Sequence, residues 1–273
     1  MQRQAGIHNA RQLARAYVRR LGIRAPEHVR VEAIATKLAA WMGFRLRIVI
    51  GPLDGADSQI IRAAGEATIM ISDRITDPGQ RKFLIMHECG HLMLEHPLMP
   101  PHKLGEAGPS RHTPDHVRDY EAEANAFASE LTMPHVIVNR WCRATPVNLD
   151  MPWRIANAFG MTILASAIRF TELSPERCAA VFSARRRIVW CAESATFPKI
   201  ERGRALDPTS AAYDFWERGE VEPREQFVPA DGWFDTKVPV DIVEHAFASR
   251  EHGTVISMLW VPERVAAPLG MAT

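Results

Sequence analysis

The segment His87-Glu88-Cys89-Gly90-His91 constrains this chain more than any other, because its residues can act together only on a helix. Positions four apart share a helix face, so both imidazoles can reach one divalent ion. Glu88, one step round, can approach a water there as general base. The surrounding run QRKFLIMHECGHLMLEH (80–96) has helical length and pattern, and Pro97, Pro100 and Pro101 stop it. Seven of the eleven histidines fall between His87 and His135, which locates the expected chemistry.

A catalytic zinc takes three protein ligands and keeps a fourth position open. The third could come from His96, His102, His112, His116 or a carboxylate of the next helix, DHVRDYEAEANAFASEL (115–131), whose apolar stripe is Val117, Tyr120, Ala124, Phe127 and Leu131. Glu121 and Glu123 flank this stripe about equally, so periodicity does not choose between them. One observation favours Glu121: Asn125 follows it by one turn, where an amide can orient a metal-binding histidine, whereas Phe127 follows Glu123. His112, His116 and Tyr120 are candidates for a second oxyanion donor.

HECGHLMLEH followed by EAEANAFASELTMP resembles the paired signature of the ImmA/IrrE family of zinc metallopeptidases, HExGH and then ExEANxFAxxLLMP. The likeness covers roughly residues 10–172. It implies a zincin-like fold and a site in which His87 and His91 are ligands, Glu88 the base, Glu121 the third ligand and Asn125 its support. It also implies a protein substrate, a helix-turn-helix transcriptional repressor or similar regulator, cleaved in response to stress, phage or mobile-element signals. Two departures stand out. Thr132 replaces a leucine, and Cys89 replaces an aliphatic residue, so a thiol beside the metal is expected to confer sensitivity to oxidation. His₂Glu sites accept several divalent ions, Mn²⁺ among them, so the donor set does not single out Zn²⁺.

Charge and cysteine usage narrow the setting. With 33 basic against 32 acidic residues, nothing drives the whole chain toward nucleic acid or an anionic membrane, and direct nucleic-acid binding is not expected. No apolar run approaches the length of a spanning helix. Four cysteines without a CxxC pair read as reduced thiols, hence a cytoplasmic protein. The first 24 residues hold six arginines and no serine, and read as a helix rather than a transit peptide. Leu13, Tyr17 and Leu21 form its expected core stripe, with Arg11, Arg15 and Arg19 on the solvated side.

The expected fold class is α+β. Residues 1–172 read as the metallopeptidase domain: a helix over 9–21, a second from Val31 carrying Ile34, Leu38 and Trp41, and an antiparallel meander of FRLRIVI (44–50), SQIIRA (58–63) and ATIMIS (67–72). ATIMIS is also a candidate sheet edge for an extended substrate. The helices bearing the motifs follow, then a helix-turn-helix-like pair at 151–170. Only Arg169 ends the pair's second helix, so packing is favoured over DNA reading. Residues 173–273 read as a strand-rich α+β domain with a sensory or docking role, including a hairpin RCAAVFSA/RIVWCAES and a strand TVISMLWV. The competing function is a non-catalytic regulatory module with a structural metal, acting by protein contact as a toxin–antitoxin or repressor partner. Oligomeric state is not legible.

Overall fold

The computed structural model describes residues 2–97, 115–143 and 146–270. Packing divides the chain into two units, Met1–Ile137 with Ala156–Thr162, and Val138–Ile155 with Ile163–Thr273. This division differs from the sequence boundary at 172, because residues 138–155 and 163–172 pack with the C-terminal part.

The first unit opens with α1 (Gln2–Arg20) and α2 (Val31–Trp41). In α1 the fully buried stripe is Ala10, Ala14 and Val18, with Leu13, Tyr17 and Leu21 half-buried beside it. Small residues at that spacing let α1 lie close against α4 (Asp115–Thr132). Tyr17 stacks on Trp41 at 5.5 Å between ring centres and meets Phe127 edge-on at 6.2 Å. The arginine row is not wholly solvated. Arg15 lies 3.4 Å from the buried carboxylate of Glu130, which also accepts from the His135 amide.

Next comes a sheet of β1 (Arg45–Gly51), β2 (Ser58–Ala63) and β3 (Glu66–Ser72). It is mixed rather than an antiparallel meander: the order is β1-β3-β2, with β1 parallel and β2 antiparallel to β3. β3 takes the centre because its inward residues Ala67, Ile69 and Ile71 are the most completely buried of the three strands. The six-residue link 52–57 can span about 20 Å, ample for passing over a central strand to a position roughly 10 Å away. ATIMIS is therefore paired on both sides and cannot be the edge; β1 and β2 are.

After the sheet, α3 (Pro78–Met93) starts at an Asp77 cap whose carboxylate accepts from the Gln80 amide at 2.7 Å, with Pro78 in the first turn. α5 (His135–Cys142) and α6 (Asp150–Phe159) each fall partly in both units, and α5 goes unmarked by any sequence signal. In the second unit, α7 (Ile163–Leu173) precedes an antiparallel sheet of β4 (Cys178–Ala184), β5 (Arg187–Glu193), β6 (Gln226–Pro229), β7 (Asp241–Ser249) and β8 (Thr254–Trp260), ordered β5-β4-β8-β7-β6. The β4–β5 hairpin and β8 agree with expectation. Arg169 of α7 is buried and paired with Glu172 at 3.0 Å, so it is not presented to a nucleic acid. Among the described residues no helix is long and apolar enough to cross a membrane.

Candidate metal centre

The final turns of α3 are buried from Leu84 through Met93, and His87, Glu88 and His91 are buried with them. Polar side chains in such a position need partners, and α4 provides them. The two helices meet at Gly90: a Cβ there would stand 3.0 Å from Cα and 3.1 Å from the carbonyl oxygen of Ala124. Glycine therefore sets a close backbone approach that brings Glu121 opposite both histidines.

His87 Nε2 lies 3.2 Å from Glu121 Oε2, His91 Nε2 lies 3.3 Å from Glu121 Oε1, and the two Nε2 atoms are 3.0 Å apart. An ion with bonds of about 2.0–2.1 Å in tetrahedral geometry needs donors roughly 3.3–3.4 Å apart, close to what is found. The donor chemistry fits as well. His87 Nδ1 donates to the Asn125 carbonyl oxygen at 2.9 Å, which turns its Nε2 toward Glu121 and His91. Burial alone would depress the pKa of His87, but the hydrogen bond and charge of Glu121, with the charge of Glu88, outweigh it and raise it. Two imidazole nitrogens and a carboxylate this close suit a shared cation, a proton or a metal ion. His87, His91 and Glu121 are the group of described residues able to hold a metal.

Beside them, Glu88 is buried and its Oε1 accepts a 2.6 Å hydrogen bond from Ser58 at the head of β2. Ser58 stands 30 residues upstream, and nothing in the sequence pattern singles it out. Cys89 is fully buried, and burial followed by the Glu88 charge pushes its thiol well above the usual range. It is held as a neutral, inaccessible thiol, contrary to the expected oxidation sensitivity, because reactivity requires exposed thiolate.

The remaining candidates separate clearly. Glu121, not Glu123, faces the two imidazoles. His96 is buried but bonds the far side of His91, Nδ1 to Nδ1 at 3.0 Å, and its Nε2 meets Glu123 Oε2 at 3.1 Å. Burial, then the His91 charge, pushes His96 down to about 4, so it is neutral near pH 7. The Tyr120 ring packs on His96 at 4.6 Å between centres. His102, His112 and the side chain of His116 lie outside the described residues.

Residues 42–171 match the model of the IrrE N-terminal-like domain, of the Peptidase M78 family. No curated protein matches the chain. The solved structure of a Mycobacterium tuberculosis transcriptional regulator is similar over 96% of this chain and 78% of its own, with a TM-score of 0.60 at 13% identity, which bears on the fold alone.

Proposed function

From the premise that residues 42–171 form an IrrE N-terminal-like domain of the ImmA/IrrE family, we propose that this chain is a zinc-dependent endopeptidase acting on a regulatory protein, a helix-turn-helix transcriptional repressor. The observation that carries the reading is the convergence of His87, His91 and Glu121 within hydrogen-bonding distance of one another, with Glu88 on the next helical position. His87, His91 and Glu121 would hold Zn²⁺, or Mn²⁺ in the same donor set, which would supply Lewis acidity: the pKa of water would fall from 15.7 to about 7 and the scissile carbonyl would be polarised.

The protein's own groups do the rest. Glu88 takes the proton from water and passes it to the leaving amine. Ser58 anchors one carboxylate oxygen of Glu88, so the proton is carried on the other. Asn125 keeps the proton of His87 on Nδ1. Tyr120, His112 and His116 are retained as candidates for a second oxyanion donor. An extended substrate would add to the outer edge of β2, the strand whose Ser58 touches the base. Four free cysteines support a cytoplasmic setting, and residues 173–273 are assigned a sensory or docking role.

The test co-expresses the protein with the repressor encoded beside its gene. A clipped product is expected, and Glu88→Gln should slow its formation by about 10²–10⁴-fold. Unchanged cleavage in that variant would sink the reading. The similar solved structure is that of a transcriptional regulator, which raises a second reading, regulation by protein contact without cleavage. In that case Glu88→Gln retains the full biological effect.

A further inference from the structure

At its C-terminal end, α3 closes with Glu95 at φ 54, a left-handed conformation that side chains seldom adopt. The turn is complete: the His96 amide donates to the His91 carbonyl at 3.0 Å and the Glu95 amide to the Leu92 carbonyl at 3.2 Å, the pair of bonds that ends a helix by reversing the chain. Its effect is to fold His96 back onto His91. Arg62 of β2 fixes the reversal by donating to the His96 carbonyl at 2.8 Å, and Tyr120 covers the ring.

The hydrogen bonds in this corner have one consistent direction. Glu123 is a carboxylate, which only accepts, so His96 Nε2 must donate to it. Ligation through Nε2 puts the His91 proton on Nδ1, and His96 Nδ1, 3.0 Å away, can accept it only when the His96 proton sits on Nε2 toward Glu123. His91 is left with a bare Nε2 on the side facing Glu121 and His87.

We propose that His96 and Glu123 are positioning residues that lock His91 in the tautomer able to ligate a metal, matching what Asn125 does for His87. The proposal rests on the reading of His87, His91 and Glu121 as metal ligands, and goes beyond it by assigning the two groups behind His91. If Glu123 were an amide, it could either accept from His96 Nε2 or donate to it, so the carboxylate's one-way bias would be lost and part of the population would carry the His91 proton on Nε2, where the ion belongs.

The experiment measures Zn²⁺ affinity of the full chain by competition with a chromogenic chelator, with ¹⁵N-histidine spectra to read the His91 tautomer in the metal-free protein. The parent should bind one equivalent. His96→Leu should bind about 10–100-fold more weakly. His96→Asn, whose Oδ1 falls where Nδ1 sits and can accept from His91, should recover most of that loss. Glu123→Gln should weaken binding about tenfold and move the His91 proton from Nδ1 toward Nε2. Should His96→Leu fail to fold, as read by circular dichroism, Glu123→Gln decides alone, since its side chain is one-fifth exposed. Parent-like affinity and tautomer in the variants would overturn this proposal and leave the metal centre standing. A parent that binds no Zn²⁺ overturns both.

Discussion

Both units bury glutamate, and Glu121 of the first and Glu244 of the second are surrounded in different ways. In the second unit, Glu244 of β7 is fully buried and accepts from four donors: the amides of Ala211 and Ala212, the Trp233 indole and the Ser257 hydroxyl, at 2.8–3.1 Å. In the first, the oxygens of Glu121 face the Nε2 atoms of His87 and His91 at 3.2 and 3.3 Å. A carboxylate ringed by donors is complete as it stands and ties strand to loop. A carboxylate set between two imidazole nitrogens is placed to share a cation with them. Both side chains are buried, and the kind of neighbour distinguishes a structural acid from a candidate ligand.

The strongest attempt to break the comparison is Glu121→Gln. It should reduce Zn²⁺ affinity by more than the roughly 100-fold upper end for groups that only support a ligand, measured by the same chelator competition. The unfolding midpoint of the metal-free protein should move little. Equal affinity would place the third ligand elsewhere.

Glu244 sharpens the other half. Burial outweighs its four donors and pushes its carboxyl from 4.5 up to about 7. A carboxyl raised on folding contributes stability that is fully present below pH 4.5 and is lost as pH rises through about 7. The second unit should therefore lose about 3 kcal/mol at most across that window, seen in denaturant unfolding followed by tryptophan fluorescence. Glu244→Gln should flatten this dependence. A parent whose stability is level from pH 4.5 to 7 would contradict the assignment. The smallest effect is expected at Glu95. Glycine accepts φ 54 without strain, so Glu95→Gly should be neutral or stabilise by up to about 1 kcal/mol in thermal unfolding, and Zn²⁺ affinity should hold. A marked loss of stability would mean that the Glu95 side chain itself supports the turn.

The ligand half of this comparison was largely legible in the sequence, because it is written in helical spacing. His87 and His91 lie four apart on one helix; on the partner helix periodicity left Glu121 and Glu123 level, and the amide of Asn125 one turn after Glu121, with the family resemblance, decided between them. The groups behind them depend on tertiary reach. His96 arrives through a left-handed residue that is a glutamate rather than a telltale glycine, and Ser58 arrives from a strand whose neighbours are decided by which strand is most apolar. β7 is unmarked in the sequence for a related reason. Its run Ile242, Val243, Glu244 is buried on both faces and sets a charged residue among apolar ones, which erases the alternation that marks a strand. The parallel pairing of β1 with β3 is likewise invisible to a reading that joins consecutive strands.

The contact between Gly90 and Ala124 has a consequence for how such a chain can change over generations. Where two helices are held apart by bulky side chains, each core substitution resets their spacing, and a metal centre strung between them would drift with it. Here the spacing is a matter of main chain against main chain, the shortest approach available. Mutations accumulating in α1, α2 or the sheet can remodel the surrounding packing while the separation of Glu121 from the two histidines stays put. The centre is in this sense insulated from the history of the rest of its unit, and Gly90 is the residue at which that insulation would first be lost.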